Sequence, residues 1–198
     1  MRLTSRDREK KLSRILAFED GSFSSADRYC TLVGVLMEDC AIRKLAIGQI
    51  RVDGRDATRK VIRLARRLNQ ADAIMLPSVS LGGFNIVDPY EVYDETKLPV
   101  IVANPRRPRL RAVREALRQH FSDWEKRIIV FNALGAPEVA RLGTKGALYF
   151  YSIGISKTSA SALLRRSIHF GKKPEPLRVA RILARALPYP SIDATRRV

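Results

Sequence analysis

The chain has 198 residues, 45% of them hydrophobic, which is enough for one domain with a sizeable core and excludes general disorder. Lys and Arg number 37 against 20 Asp and Glu, a formal charge of +17 that points to a polyanion, RNA or DNA, as partner. No apolar run approaches the roughly 20 residues of a membrane-spanning helix, and the charged stretch from Met1 to Lys11 has no secretory core, so the expected location is the cytoplasm.

Residues 1–14 read as a basic arm, 15–190 as a single domain and 191–198 as a tail. Within the domain, 15–23 reads as a strand, 28–37 as a second rich in β-branched and apolar residues, and 43–52 as a third. Glu38-Asp39-Cys40 is a turn, and the short connections predict antiparallel neighbours. Asp56-Ala57-Thr58 then offers a cap, and Val61, Ile62, Ala65 and Leu68 recur at helical spacing up to about Asn69. An apolar strand over 71–76, a helix over 88–96 and a buried strand over 98–103 follow, an alternation that predicts parallel pairing with right-handed crossovers. The 98–103 strand is therefore expected parallel to the first.

From Pro108 the spacing of Leu110, Val113, Leu117, Phe121 and Trp124 predicts one long core-facing helix. A strand over 148–155 and helices over 157–168 and 176–187 complete the chain. Three antiparallel strands followed by two parallel strands among helices is the order of an α/β, ribonuclease-H-like mixed sheet.

Cys30 and Cys40 bracket a strand and stand up to roughly 33 Å apart, too far for a bridge, so both are read as free thiols. Two cysteines and two histidines give no zinc spacing, and nothing brings His120 or His169 to a nucleophile. Gly82-Gly83 lacks both the dinucleotide and the NTP-loop signature and reads as a tight turn. Arginines crowd three helix faces: Arg59, Arg63, Arg66 and Arg67 on the first, Arg111, Arg114 and Arg118 on the long one, and Arg178, Arg181 and Arg185 on the last. Guanidinium groups grip phosphate through paired donors, so these faces suit a nucleic-acid backbone.

Five segments carry a resemblance: Glu19-Asp20-Gly21-Ser22-Phe23, Leu32-Val33-Gly34-Val35, Val52-Asp53-Gly54-Arg55-Asp56-Ala57-Thr58, Gly83-Phe84-Asn85-Ile86-Val87-Asp88 and Lys173-Pro174-Glu175-Pro176-Leu177-Arg178-Val179-Ala180. In order and spacing the chain resembles the archaeal family known as domain of unknown function ninety-nine, itself related to endonuclease V. The resemblance covers about 18–187 and implies a five-stranded endonuclease-V-like core with flanking helices. Enzymes of that kind gather carboxylates because Mg²⁺ or Mn²⁺ takes oxygen ligands. The resemblance implies that Asp20 and either Asp53 or Asp56 are the catalytic and metal-binding candidates, with a turn role for Asp53 and a helix-cap role for Asp56 standing open beside it.

Two further ligand positions of the resembling enzyme hold Pro77 and Arg181 here, neither of which serves a divalent ion. That enzyme's Pro-Tyr-x-Pro wedge has no match before Asp53. Asp88 reads as a helix cap. The combined reading is an endonuclease-V-like nucleic-acid-binding protein with impaired or absent hydrolysis. The alternatives are an active metal-dependent endonuclease using Asp20, Asp53, Asp56, Asp88 or Glu175 in an altered site, and a ribosome- or protein-associated scaffold.

Overall fold

The computed structural model describes residues 13–187. The arm expected over 1–14, apart from Ser13 and Arg14, and the tail expected over 191–198 lie outside them. Apolar runs with residues on both faces make the first two strands, β1 (Arg14–Asp20) and β2 (Tyr29–Glu38), central rather than edge elements. In β1 the alternation is literal: Ile15 and Ala17 enter the core on one face of the sheet, Leu16 and Phe18 the core on the other. β2 pairs antiparallel with β1 and with β3 (Ala41–Arg51), as the short turns require.

Helix α1 (Ala57–Leu68) buries Val61, Leu64, Ala65 and Leu68 against this sheet. After it come β4 (Ala73–Leu76), a small hairpin of β5 (Ser80–Leu81) and β6 (Asn85–Ile86), α2 (Pro89–Thr96) and β7 (Val100–Asn104). β4 pairs parallel with β1, and β7 parallel with β4, the directions the alternating pattern predicts. The chain continues through α3 (Leu110–His120), α4 (Trp124–Leu134), β8 (Glu138–Arg141), β9 (Ala147–Ile153), α5 (Lys157–Arg166) and α6 (Glu175–Ala186). α1 covers one face of the sheet, and α5 and α6 cover the other through Leu163, Leu164, Leu177, Ala180 and Ala184.

Three expectations need correction. The sheet has seven strands, not five, in the order β3-β2-β1-β4-β7-β9-β8. The strand that local pattern hides is β8, four residues long with only Ala140 buried, held by antiparallel pairing to β9. The long helix is two: Phe121 turns extended at φ −133°, and α4 restarts at Trp124. Of the five residues in its expected stripe only Leu117 is fully buried. The first strand stops at Asp20 rather than running on to Phe23: Gly21 still donates to the Thr31 carbonyl at 2.9 Å, but residues 22–28 are exposed and belong to no strand.

Candidate functional site

The tip of the β5–β6 hairpin organises the candidate carboxylates. Gly82 and Gly83 adopt φ of +57° and +81°, so the Gly-Gly pair is a tight turn, as its composition predicts. The Gly82 amide donates to Asp20 Oδ2 at 2.7 Å, and the Phe84 amide donates to Asp53 Oδ1 at 2.7 Å. Asp53 is itself left-handed at φ +55°, and its amide donates to the Gly82 carbonyl at 2.8 Å. A Cβ on Gly83 would lie 2.2 Å from that same Oδ1, so the residue must be glycine for the carboxylate to reach the amide.

Asp56 occupies the cap position of α1 without capping it. Its Oδ1 accepts instead from the Arg51 amide at 3.2 Å and from Asn85 Nδ2 at 2.7 Å. The wholly buried Asn85 does the capping from across the chain, its Oδ1 accepting from the Ala57 amide at 2.9 Å while Nδ2 also donates to the Arg51 carbonyl at 2.8 Å. Arg127, buried on α4, then ties the two loops together by donating to the carbonyls of Gly54 at 3.0 Å and Phe84 at 2.7 Å. Its Nε pairs with Asp123 Oδ1 at 2.8 Å. Sequence reading missed both Asn85 and Arg127, since neither partnership is local. Beneath the turn, burial pushes the Cys30 thiol up to about 12, with the charges of Asp20, Asp56 and Asp27 adding to the effect; it and Cys40 are both free.

A divalent ion needs several oxygens aimed at one point. Here Asp20, Asp53 and Asp56 each commit an oxygen to the hairpin, and among the described residues no three Asp, Glu, His or Cys side chains form a group able to hold a metal. Asp20 uses Oδ2, Asp53 Oδ1 and Asp56 Oδ1 in these bonds, so the second oxygen of each carboxylate is not engaged by the hairpin. Asp88 caps α2, accepting from the amides of Tyr90 at 2.9 Å and Glu91 at 3.3 Å. Glu175 is held by Arg178 Nε at 2.7 Å. Pro77 follows β4 and supplies only a backbone carbonyl, which accepts from Asn104 Nδ2 at 3.1 Å.

One buried acid was not singled out by sequence reading. Glu19 is buried on the α6 side of the sheet and forms an ion pair with the Lys173 ammonium; their side chains are 7% and 18% exposed. Burial raises the affinity of Glu19 for its proton, and Lys173 and then Arg181 oppose this. Burial also raises Asp20, against its bond from Gly82 and the fields of Lys173 and Arg181. Arg181 is exposed and reaches these acids through its field, whereas Lys173 makes the ion pair.

The arginine faces divide by partner. Arg59 and Arg63 line an open cleft of about 620 Å³ together with Tyr29, Gln49, Arg51, Arg55, Asp56 and Lys60. Arg55 lies 3.5 Å from Asp123, while the side chains of Arg51, Arg59, Lys60 and Arg63 have no carboxylate partner among the described residues. Elsewhere Arg66 pairs with Glu95, Arg111 with Glu115 at 3.1 Å and Arg178 with Glu175. Arg114 donates to Asn132 Oδ1 at 3.2 Å, and Arg118 lies over the Trp124 ring at 5.3 Å. Arg181 and Arg185 are exposed on α6. His169 Nε2 lies 3.4 Å from Cys40 Sγ at an exposed position, a contact that no local spacing signals.

The sequence model of the family described as Endonuclease dU matches residues 11–188. The UPF0215 protein of Thermococcus gammatolerans is 39% identical over 181 residues, covering 88% of this chain and 91% of that one. A crystal structure of a protein of unknown function from Archaeoglobus fulgidus superposes with a TM-score of 0.76 at 34% identity, over 86% of this chain and 95% of that one. The catalytic domain of human endonuclease V shares the fold at a TM-score of 0.59 and 12% identity, over 93% and 86% of the two chains. Endonuclease V of Ciona intestinalis, in complex with a DNA containing an inosine followed by a ribo-adenosine, does so at 0.56 and 9%, over 86% and 84%.

Proposed function

Since the chain belongs to the endonuclease dU family, we propose that it is an endonuclease-V-like nucleic-acid-binding protein in which metal-dependent hydrolysis is impaired or absent. The observation that carries this reading is the division of labour at one end of the sheet. Four cations that have no carboxylate partner among the described residues open onto a cleft, while each adjoining carboxylate commits one oxygen to a hairpin. Unpaired guanidinium and ammonium groups release counterions when they meet phosphate, so binding is favoured. Two-metal hydrolysis needs several carboxylate oxygens converging on the scissile phosphate, and the reading of impaired hydrolysis is supported by the lack of a group of three or more metal-ligating side chains among the described residues.

The family's description supports a second reading, cleavage at deoxyuridine through an altered carboxylate site. The two are separated with end-labelled single-stranded and duplex DNA and RNA, with and without deoxyuridine or inosine, in Mg²⁺ or Mn²⁺. We expect retention that weakens linearly in log affinity against log salt, without turnover. Robust turnover abolished by Asp20→Asn would establish the nuclease instead. No retention of any nucleic acid at low salt would leave the ribosome- or protein-associated scaffold as the surviving reading.

A further inference from the structure

The cleft beside α1 has the make-up of a nucleotide seat rather than of a flat phosphate track. Arg59 and Arg63 stand one helical turn apart on its α1 side, with Lys60 between them. Arg51 closes β3, and the pairing register sets it directly opposite Tyr29, while Gln49 stands opposite Thr31. Tyr29, half-buried, lines the cleft, and the Arg28 guanidinium lies over one face of its ring at 5.5 Å from the centroid. Asp56, the acid in the lining, has its Oδ1 turned to Asn85 and the Arg51 amide.

Cations along a groove combined with an aromatic face are what an unpaired strand requires, because its phosphates need positive charge and its unstacked bases need a π surface. A base inside a duplex is already stacked on its neighbours and cannot use that surface. From this we infer that the cleft seats an unpaired nucleotide of single-stranded nucleic acid, its phosphates on Arg59, Lys60 and Arg63 and its base on the Tyr29 face opposite Arg28. The inference rests on the nucleic-acid-binding reading and adds to it the strandedness of the ligand and the place where it sits.

The test is fluorescence anisotropy of the intact protein with a mixed-sequence single-stranded oligonucleotide, the blunt duplex it forms with its complement, and free dTMP. Wild type should bind the single strand more tightly than the duplex. Tyr29→Ala should weaken the single strand roughly tenfold and leave the duplex unchanged, and Tyr29→Phe should retain full affinity. Arg59→Gln with Arg63→Gln should make single-strand binding less sensitive to salt, by about 0.7 in the log–log slope for each phosphate that is no longer neutralised. Matched thermal unfolding of the variants guards against a folding defect, and Tyr29→Leu, which keeps apolar bulk but removes the π face, should give the same selective loss of single-strand affinity where Tyr29→Ala fails to fold. If both nucleic acids bind but Tyr29→Ala leaves their affinity ratio untouched, the inference is overturned while the binding reading stands. If wild type binds neither at low salt, both fall. Tyr29-dependent affinity for dTMP equal to that for the strand would assign the cleft to a free nucleotide and overturn the strand.

Discussion

Glu19 and Asp20 are adjacent in sequence, yet the two-residue period of a strand sends them to opposite faces of the sheet. Glu19 shares its face with Ile15 and Ala17 and meets Lys173; Asp20 shares its face with Leu16 and Phe18 and meets the hairpin. Removing one partner of a largely buried ion pair leaves the other charge uncompensated where little solvent reaches it. Glu19→Gln should therefore cost about 3 kcal/mol of unfolding free energy, measured in urea, and adding Lys173→Met should restore most of it. A double variant no more stable than the single one would show that the pair is not coupled.

Burial also gives Asp20 a folded-state proton affinity above its unfolded one. Just above the ordinary carboxylate range the folded state then binds more protons than the unfolded chain, so this group's contribution to stability falls as pH rises through that window. The difference in unfolding free energy between wild type and Asp20→Asn should decline with rising pH there, and a rising difference would contradict the assignment. Glu175 has the opposite sign: the bond from Arg178 lowers it, so its contribution is present above the ordinary carboxylate value and lost as pH falls through the depressed one.

The β5–β6 hairpin shows how a short element with only two residues per strand acquires a defined shape. Its turn is legible in Gly82-Gly83, but its anchorage is not, because Asp20, Asp53, Asp56 and Asn85 come from separate stretches of chain. Asn85 makes three hydrogen bonds from a fully buried position, and truncating it leaves the Ala57 amide without a partner and removes one of the two donors to each of the Arg51 carbonyl and the Asp56 carboxylate. Asn85→Ala should lose about 3 kcal/mol, and Gly83→Ala, which needs a left-handed residue and displaces Asp53, about 2 kcal/mol, both read from denaturant midpoints. Unchanged midpoints would mean that the hairpin does not hold the carboxylates. The α3–α4 break escaped sequence reading for a related reason. Apolar residues at helical spacing run through it, while the turn sets the Phe121 ring 5.5 Å from that of Phe84, edge-on, and 4.3 Å from the Arg127 guanidinium. Those contacts reach across the molecule to the hairpin.

At the scale of the whole molecule, 37 basic residues face 20 acidic ones, so pairing cannot neutralise the chain. Surface ion pairs such as that of Arg111 with Glu115 contribute little, whereas the surplus charge repels itself at every separation within a Debye length. The melting temperature should accordingly rise as NaCl is increased toward roughly 0.15 M, where screening acts beyond about 8 Å. A melting temperature that falls with salt would indicate that ion pairs outweigh the repulsion.

What the sequence determined by itself is what depends on neighbours a few residues away. This includes the strands β1 to β4 and β7 with their directions, read from β-branched runs and connection lengths, the Gly-Gly turn, the Asp88 cap and the excess of positive charge. Tertiary structure decided which acid carries an internal cation, which carboxylate oxygens are already bonded, which arginines remain unpaired and where β8 pairs. Glu19 and Lys173 lie 154 residues apart, and Arg127 and Gly54 lie 73 apart. Contacts of that range leave no period in the sequence, because they are set by how the sheet and its helices pack rather than by the repeat of any one element.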